Sequence, residues 1–273
     1  MTEPEKKQTR LFANLRRYSS LLVALSGGAD STYLVYAASK VLGKEVLLAA
    51  TALSGLQPER ETADAGKIAG DLEVRHFFFH TPHLESGNFL QNSRMRCYLC
   101  KKLMFSRLFE EARKYGVENF AHGMNLEDQG EFRPGLQAAR EMNVAAPLAE
   151  AGLEKADIRE LSRRAGLRTW YKPASGCLAT RIPYGMEITP ERISRIDRAE
   201  QFLAGEGFSS MRVRLHGDLA KIEVPEREMD RLMVPETRSR ITAALKDVGF
   251  SYVAADLESL ASGRLDRAER KTG

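Results

Sequence analysis

Apolar positions along this chain follow two alternating patterns. Short unbroken runs read as buried strands, and stretches with apolar residues every three or four positions read as helices. Strands are expected at Leu21–Leu25, Glu45–Thr51, Val74–Phe79, Asn119–His122 and, briefly, Val144–Pro147. Between them a helix runs from Thr32, with Leu34, Val35, Ala38, Val41 and Leu42 at helical spacing. Others are expected over Pro58–Gly70, opened by proline and closed by glycine, and over Lys101–Tyr115, Gly135–Met142 and Lys155–Ala165. Strand–helix alternation predicts an α/β fold with a doubly wound parallel sheet, whose ligands sit beyond the carboxyl ends of the strands. The Pro- and Gly-bearing stretch Trp170–Gly185 interrupts the pattern. Beyond it, helices at Pro190–Gly205 and Glu236–Val248 and strands at Met211–Leu215, Ala220–Val224 and Ser251–Ala255 predict a second, smaller α/β domain. The expected domains are 1–170 and 171–273, with a charged tail after Leu260 that is expected to fray.

Composition narrows this little. The chain has 273 residues, 43% hydrophobic and 29% charged, ordinary values for a globular protein with ample core. A net charge of +4 leans toward anionic ligands without marking a nucleic-acid binder. The polar start MTEPEKKQTR and the lack of a long apolar run predict a cytoplasmic protein without membrane association. There are three cysteines: Cys97 and Cys100 form a C-x-x-C, and Cys177 stands alone downstream. An odd, uneven set is no disulfide framework.

The chemistry starts where the first strand breaks into Ser26-Gly27-Gly28 and then Asp30-Ser31. Two glycines let the turn fold tightly, so amide N–H groups converge on an anion while the following helix adds positive potential. Ser26 and Ser31 can donate to phosphate oxygens, and Asp30 suits a cation or the orientation of a donor. The spacing is neither G-x-x-x-x-G-K-[ST] nor G-x-G-x-x-G. SGGADS resembles the signature of the PP-loop ATP pyrophosphatase superfamily, which implies a HUP-like, adenine nucleotide alpha hydrolase-like fold. Such enzymes split ATP between its α- and β-phosphates, adenylate a substrate oxygen and let a nucleophile displace AMP. By that resemblance Ser26, Gly27, Gly28, Asp30, Ser31 and Thr51 bind ATP. Gly123, Asn125 and Asp128 of the GMNLED segment close over it, with Asp128 a magnesium or ribose candidate. On residue type alone GMNLED is equally an ordinary turn.

RCYLCK at Arg96–Lys101, FRPG at Phe132–Gly135 and KPASGCLATRIPYG at Lys172–Gly185 together resemble the LarE family. Its members are ATP-dependent sulfur transferases that build the nickel-pincer nucleotide cofactor of lactate racemase. The resemblance implies that ATP and Mg²⁺ adenylate a carboxylate of pyridinium-3,5-biscarboxylic acid mononucleotide, and that sulfur then displaces AMP to give the thiocarboxylate. In the single-cysteine branch, the residue matching Cys177 surrenders its own sulfur and becomes dehydroalanine. The added Cys97 and Cys100 point to another branch, in which three thiolates hold a [4Fe–4S] cluster and the open iron carries hydrosulfide. Residues three apart on a helical turn face one way, and a helix beginning at Lys101 sets its positive end beside them. A zinc site completed by His80 or His83, a redox dithiol or buried thiols are the alternatives. Gly176 and Thr180 stand where the family often has Ala and Ser, and Glu131 and Phe132 replace Asp and Tyr.

Arg212 and Arg214 alternate on a strand and project from one face, and their forked guanidinium groups suit the phosphate of a mononucleotide. Lys101, Arg133 and Arg181 are further substrate candidates, with Arg140 beside them; their ordinary role is a solvated charge. Glu200, Glu223 and Asp230 are candidates for a second divalent cation, although surface carboxylates are usually just solvated. His76 and His80 share a strand face among apolar residues, which favours packing over metal. The resemblance also implies a homo-oligomer such as a hexamer. Two rival classes are a tRNA thiolase, which would want a strongly basic face, and a nucleotide-binding module without catalysis.

Overall fold

The computed structural model describes residues 1–130, 134–173 and 176–260. Its chain divides into two compact units, one formed by Met1–Phe89 and Arg94–Ser175, the other by Leu90–Ser93 and Gly176–Gly273.

In the first unit a helix α1 (Glu3–Leu15) precedes the strand β1 (Leu21–Ala24). The sequence reading had no element there. Its signal was the Thr2-x-x-Glu5 pattern, in which the Glu5 carboxylate accepts from the Thr2 amide at 2.7 Å, ahead of the buried Leu11 and Leu15. There follow α2 (Ala29–Ser39), β2 (Leu47–Leu53), α3 (Glu59–Asp71), β3 (Arg75–His80), a short α4 (Gly87–Leu90) and α5 (Arg96–Ala112). The unit continues with β4 (Phe120–His122), α6 (Pro134–Glu141), α7 (Pro147–Glu150) and α8 (Lys155–Arg164). The four strands are parallel in the order β3-β2-β1-β4. The expected strand at 144–147 is reduced to a single bridge between Ala121 and Ala145, because Pro147 already opens α7. Leu21 and Val23 point into one apolar cluster with α1, α2 and α8, and Leu22 points into the opposite one with Phe105 and Leu108 of α5. Burial on both faces is what an all-parallel sheet requires, and it explains the uninterrupted apolar runs. Strand order reverses between β1 and β4, so the crevice at their carboxyl ends is the topological switch point where such sheets bind ligands.

The second unit holds α9 (Pro190–Gly205), β5 (Arg212–His216), β6 (Leu219–Glu223), α10 (Glu226–Met233), α11 (Pro235–Asp247) and β7 (Tyr252–Ala255). β5 and β6 form an antiparallel pair, and β7 joins β6 in parallel. The sequence reading missed α10, a short helix entered through Pro225. Leu90–Ser93 belongs here because Asn92, fully buried at φ 53°, donates to the Pro183 and Met186 carbonyls at 2.8 Å each. No helix of the described residues is long and apolar enough to cross a membrane.

Candidate active site

β1 ends in the SGGADS turn, and α2 begins at Ala29 with Gly28 at its cap, three residues earlier than the apolar spacing suggested. Gly27 adopts φ +76°, and a Cβ on it would lie 2.9 Å from the Glu61 carbonyl oxygen of α3, so only glycine fits. Ser31 turns back on the turn: its hydroxyl accepts from the Ser26 amide at 3.2 Å and lies 3.0 Å from Ser26 Oγ. Two hydroxyls and the N-terminus of α2 thus collect at one point, a setting for phosphate oxygens. Thr51 is placed differently. Its hydroxyl donates to the Leu25 carbonyl at 2.7 Å and lies 2.8 Å from His76 Nε2, so its side chain braces the β1–β2 junction beside the turn.

The GMNLED segment, leaving β4 on the other side of the switch point, closes against the same turn. A Cβ on Gly123 would lie 2.6 Å from the Ser31 amide nitrogen. Asn125 is fully buried; its Nδ2 donates to Asp30 Oδ2 at 3.0 Å, and its Oδ1 accepts from the Asp128 amide at 3.2 Å. Burial raises the Asp30 pKa; the Asn125 bond opposes this, and the nearby Asp128 carboxylate adds to it. Two carboxylates held together and partly desolvated suit a divalent cation shared with phosphate oxygens. The sequence reading missed two of the cations around them, Lys155 and Arg159. Lys155 of α8 reaches Asp128 Oδ1 at 3.5 Å, and Lys155 and Arg159 both stabilise the Asp30 carboxylate. Lys172 donates to the Gly27 carbonyl at 3.1 Å and to Asp64 at 3.0 Å. For Lys155 and Arg159 the sequence signal was an i, i+4 pair of basic residues on the α8 face, whereas Lys172 stands in the Pro- and Gly-bearing stretch that the sequence already marked as functional.

In the second unit Arg181, Arg212 and Arg214 gather with Glu200 and Glu223. Arg181 is 3% exposed and makes a forked pair with Glu200, at 2.8 Å from Nε and 3.3 Å from Nη2. Arg214 Nε donates to Glu223 at 2.5 Å, and its Nη1 donates to the Thr180 carbonyl at 3.0 Å. Burial works against the Glu223 carboxylate, but Arg214 and then Lys221 outweigh it, so its pKa ends below the usual range. Arg212 has its pKa lowered by burial first and then by repulsion from Arg181 and Arg214. A guanidinium stays protonated regardless, so an arriving anion would relieve that repulsion.

No protein-family model matches the chain. A protein of Lactiplantibacillus plantarum, pyridinium-3,5-bisthiocarboxylic acid mononucleotide synthase, is 34% identical over 260 residues, 95% of this chain and 94% of its own. The chain belongs to the LarE family. It is thereby an ATP-dependent sulfur-transferring enzyme. An uncharacterized Synechocystis protein is 36% identical over 94% of this chain and 97% of its own. A component of the glutamine-hydrolyzing GMP synthase of Thermoplasma acidophilum is 28% identical over 70% of this chain and 65% of its own.

In this LarE-family chain the three cysteines are half-buried and form no disulfide among the described residues. Cys97 and Cys100 lie in the first turn of α5, which begins at Arg96 and not at Lys101. They therefore share a face of the helix itself, on spacing that suits two ligands of one cluster. Gly135 of the FRPG motif lets α6 approach this turn: a Cβ there would lie 3.3 Å from the Cys97 carbonyl oxygen and 3.2 Å from Lys101 Cγ. Lys101 lies 5.3 Å over the Phe105 ring and acts electrostatically on His122. His83, considered above for zinc, is 1% exposed with both ring nitrogens engaged. Nε2 donates to the Cys100 carbonyl at 3.1 Å and Nδ1 faces Thr81 Oγ1 at 2.8 Å, which makes it a brace of the cysteine turn. Cys177 belongs to the other unit, where its carbonyl accepts from the Thr180 amide at 2.9 Å and hydroxyl at 2.6 Å.

Glu200 and Glu223, singled out for a divalent cation, direct their carboxylates to Arg181, the Val213 amide, Arg214 and Lys221, while Asp230 is exposed on α10. Among the described residues no group of three or more His, Cys, Asp or Glu is arranged to hold a metal ion. Arg133, and with it Glu131 and Phe132, lies outside the described residues, and Arg140 is exposed on α6.

Proposed function

We propose that this enzyme makes pyridinium-3,5-bisthiocarboxylic acid mononucleotide from the corresponding biscarboxylic acid mononucleotide. The observation that carries the reading is the relationship to the L. plantarum synthase along nearly the whole of both chains. The SGGADS turn, its amides and the α2 N-terminus bind the ATP polyphosphate, and Asp30 with Asp128 would hold Mg²⁺, which would supply charge neutralisation there. A substrate carboxylate oxygen attacks the α-phosphorus, the bond to pyrophosphate breaks, and the turn donors stabilise the departing charge. Sulfur then attacks the acyl carbon, AMP leaves, and the thiocarboxylate forms with release of the sulfur's proton. Arg212 and Arg214, with Arg181 behind them, take the substrate phosphate, and Lys101 adds to the anion field. Cys97, Cys100 and Cys177 would hold a [4Fe–4S] cluster, which supplies sulfur for transfer without consuming a cysteine.

The test is anaerobic incubation of the protein with ATP, Mg²⁺, the mononucleotide and sulfide, reading pyrophosphate, AMP and the product mass. Multiple turnovers per chain, with an iron–sulfide mass increment in native mass spectrometry that a Cys97→Ala variant loses, are expected. At most one turnover, with Cys177 converted to dehydroalanine, would overturn the cluster route and leave the reaction standing. No pyrophosphate with the mononucleotide would overturn the reaction itself, and tRNA-dependent ATP consumption would replace it by tRNA thiolation.

A further inference from the structure

Lys172 lies in no conventional part of the phosphate turn, yet three elements aim it there. Its backbone is fixed by Arg159 of α8, which donates to the Trp170 carbonyl at 3.2 Å and the Lys172 carbonyl at 3.0 Å. Its ammonium then reaches the Gly27 carbonyl at 3.1 Å and Asp64 of α3 at 3.0 Å. α3 itself packs on Gly27 so closely that a Cβ there would meet the Glu61 carbonyl. The Lys172–Asp64 pair contributes little to folding, since its side chains are 22% and 47% exposed and such pairs are worth about 0–1 kcal/mol. A lysine steered by Arg159 to the backbone of the anion-binding glycine, at so small a gain in stability, points to a ligand.

Resting on the reading that SGGADS takes ATP, we propose that Lys172 is a ligand of the β- and γ-phosphates, and that Asp64 competes with the polyphosphate for its ammonium. Binding exchanges the Lys172–Asp64 contact for a Lys172–phosphate contact. The lysine therefore distinguishes ATP from AMP, and it neutralises pyrophosphate as it departs. Asp64 sets the opposing term, a fixed negative charge beside the polyphosphate.

The two signs make this testable by calorimetric titration of ATP and AMP, in the presence of Mg²⁺, into wild type, Lys172→Met, Lys172→Arg and Asp64→Asn. Lys172→Met is expected to weaken ATP about 10- to 100-fold and to leave AMP within about twofold, the scale of one charge-assisted hydrogen bond. Lys172→Arg recovers part of the loss. Asp64→Asn strengthens ATP by up to about fivefold, and this variant carries the test should Lys172→Met fail to fold. Equal weakening of ATP and AMP in Lys172→Met would show a mere prop of the turn and overturn the proposal, as would an Asp64→Asn variant that binds ATP more weakly. A wild type that binds neither nucleotide would overturn the ATP reading of the turn, and the role of Lys172 with it.

Discussion

Gly123→Ala is the sharpest single perturbation of the SGGADS turn. The added Cβ would lie 2.6 Å from the Ser31 nitrogen, 2.8 Å from Ser31 Cα and 3.0 Å from the Asp30 carbonyl carbon. All three are backbone atoms of the first turn of α2, so no rotamer change relieves the contact. Restoring an ordinary separation of 3.4 Å moves the GMNLED segment and the α2 N-terminus apart by about 0.8 Å. Overpacking of this kind costs about 1–3 kcal/mol of stability. The functional cost is larger. The same movement displaces the phosphate donors and stretches the 3.0 Å Asn125–Asp30 bond, and misplacement approaching 1 Å in such a site costs about 100-fold. We therefore expect ATP affinity to fall by about two orders of magnitude, with a lower urea midpoint. Gly70→Ala is the control: no atom lies within 4 Å of that Cβ, and its place inside α3 makes alanine neutral or slightly stabilising. Titration with ATP and Mg²⁺, beside urea unfolding of both variants, decides the matter. A Gly123→Ala protein that binds ATP within twofold of wild type would refute the close-approach argument.

Burial, and then Lys101, push the His122 pKa down to about 3 from 6.5. Below 6.5 the unfolded chain binds the proton that the folded chain refuses. Stability is therefore complete above 6.5 and is lost as pH falls toward 3, at about 1.4 kcal/mol per unit. His122→Leu should flatten the urea midpoint against pH just below 6.5; an unchanged slope would mean that the imidazole is accessible. Asp30 has its pKa raised by burial and held back by Asn125, and only its ionised form suits Mg²⁺·ATP. ATP affinity should fall on the acid side, and Asn125→Ala should move that limb to higher pH, readable as Kd against pH. Glu200→Gln leaves the buried Arg181 guanidinium without its counter-charge and should cost about 3–5 kcal/mol in thermal or chemical unfolding. A loss below 1 kcal/mol would show that water reaches the pair.

Local chemistry made much of the first unit legible. β1 and β2 are apolar runs because a parallel sheet is buried on both faces, and the turn after β1 betrays itself through two adjacent glycines. Errors arose where a local signal was weak or overridden. The first turn of α5 carries Arg96, Cys97 and Cys100 where apolar spacing would be expected, so the helix seemed to begin at Lys101. Arg96 is nonetheless 3% exposed, and packing rather than periodicity sets that boundary. α10 was overlooked for a similar reason, since Leu232 and Glu228 are the residues it buries.

By itself, the sequence determined the class of fold, the glycine turn after β1 and the family, because each is written in neighbouring residues or in motifs with fixed spacing. It could also mark Arg212 and Arg214 as sharing a face, a consequence of strand pleating alone. Only the tertiary structure decided what those groups face. Glu200 and Glu223 turn out to neutralise arginines, because burying a carboxylate requires a cationic partner whose position along the chain is unconstrained. Lys172 and Gly27 are 145 residues apart and Asn125 and Asp30 are 95 apart, yet each pair meets within hydrogen-bonding distance. Such contacts have no periodicity to read. They follow from where the helices and strands pack, and that is settled by the whole apolar core at once.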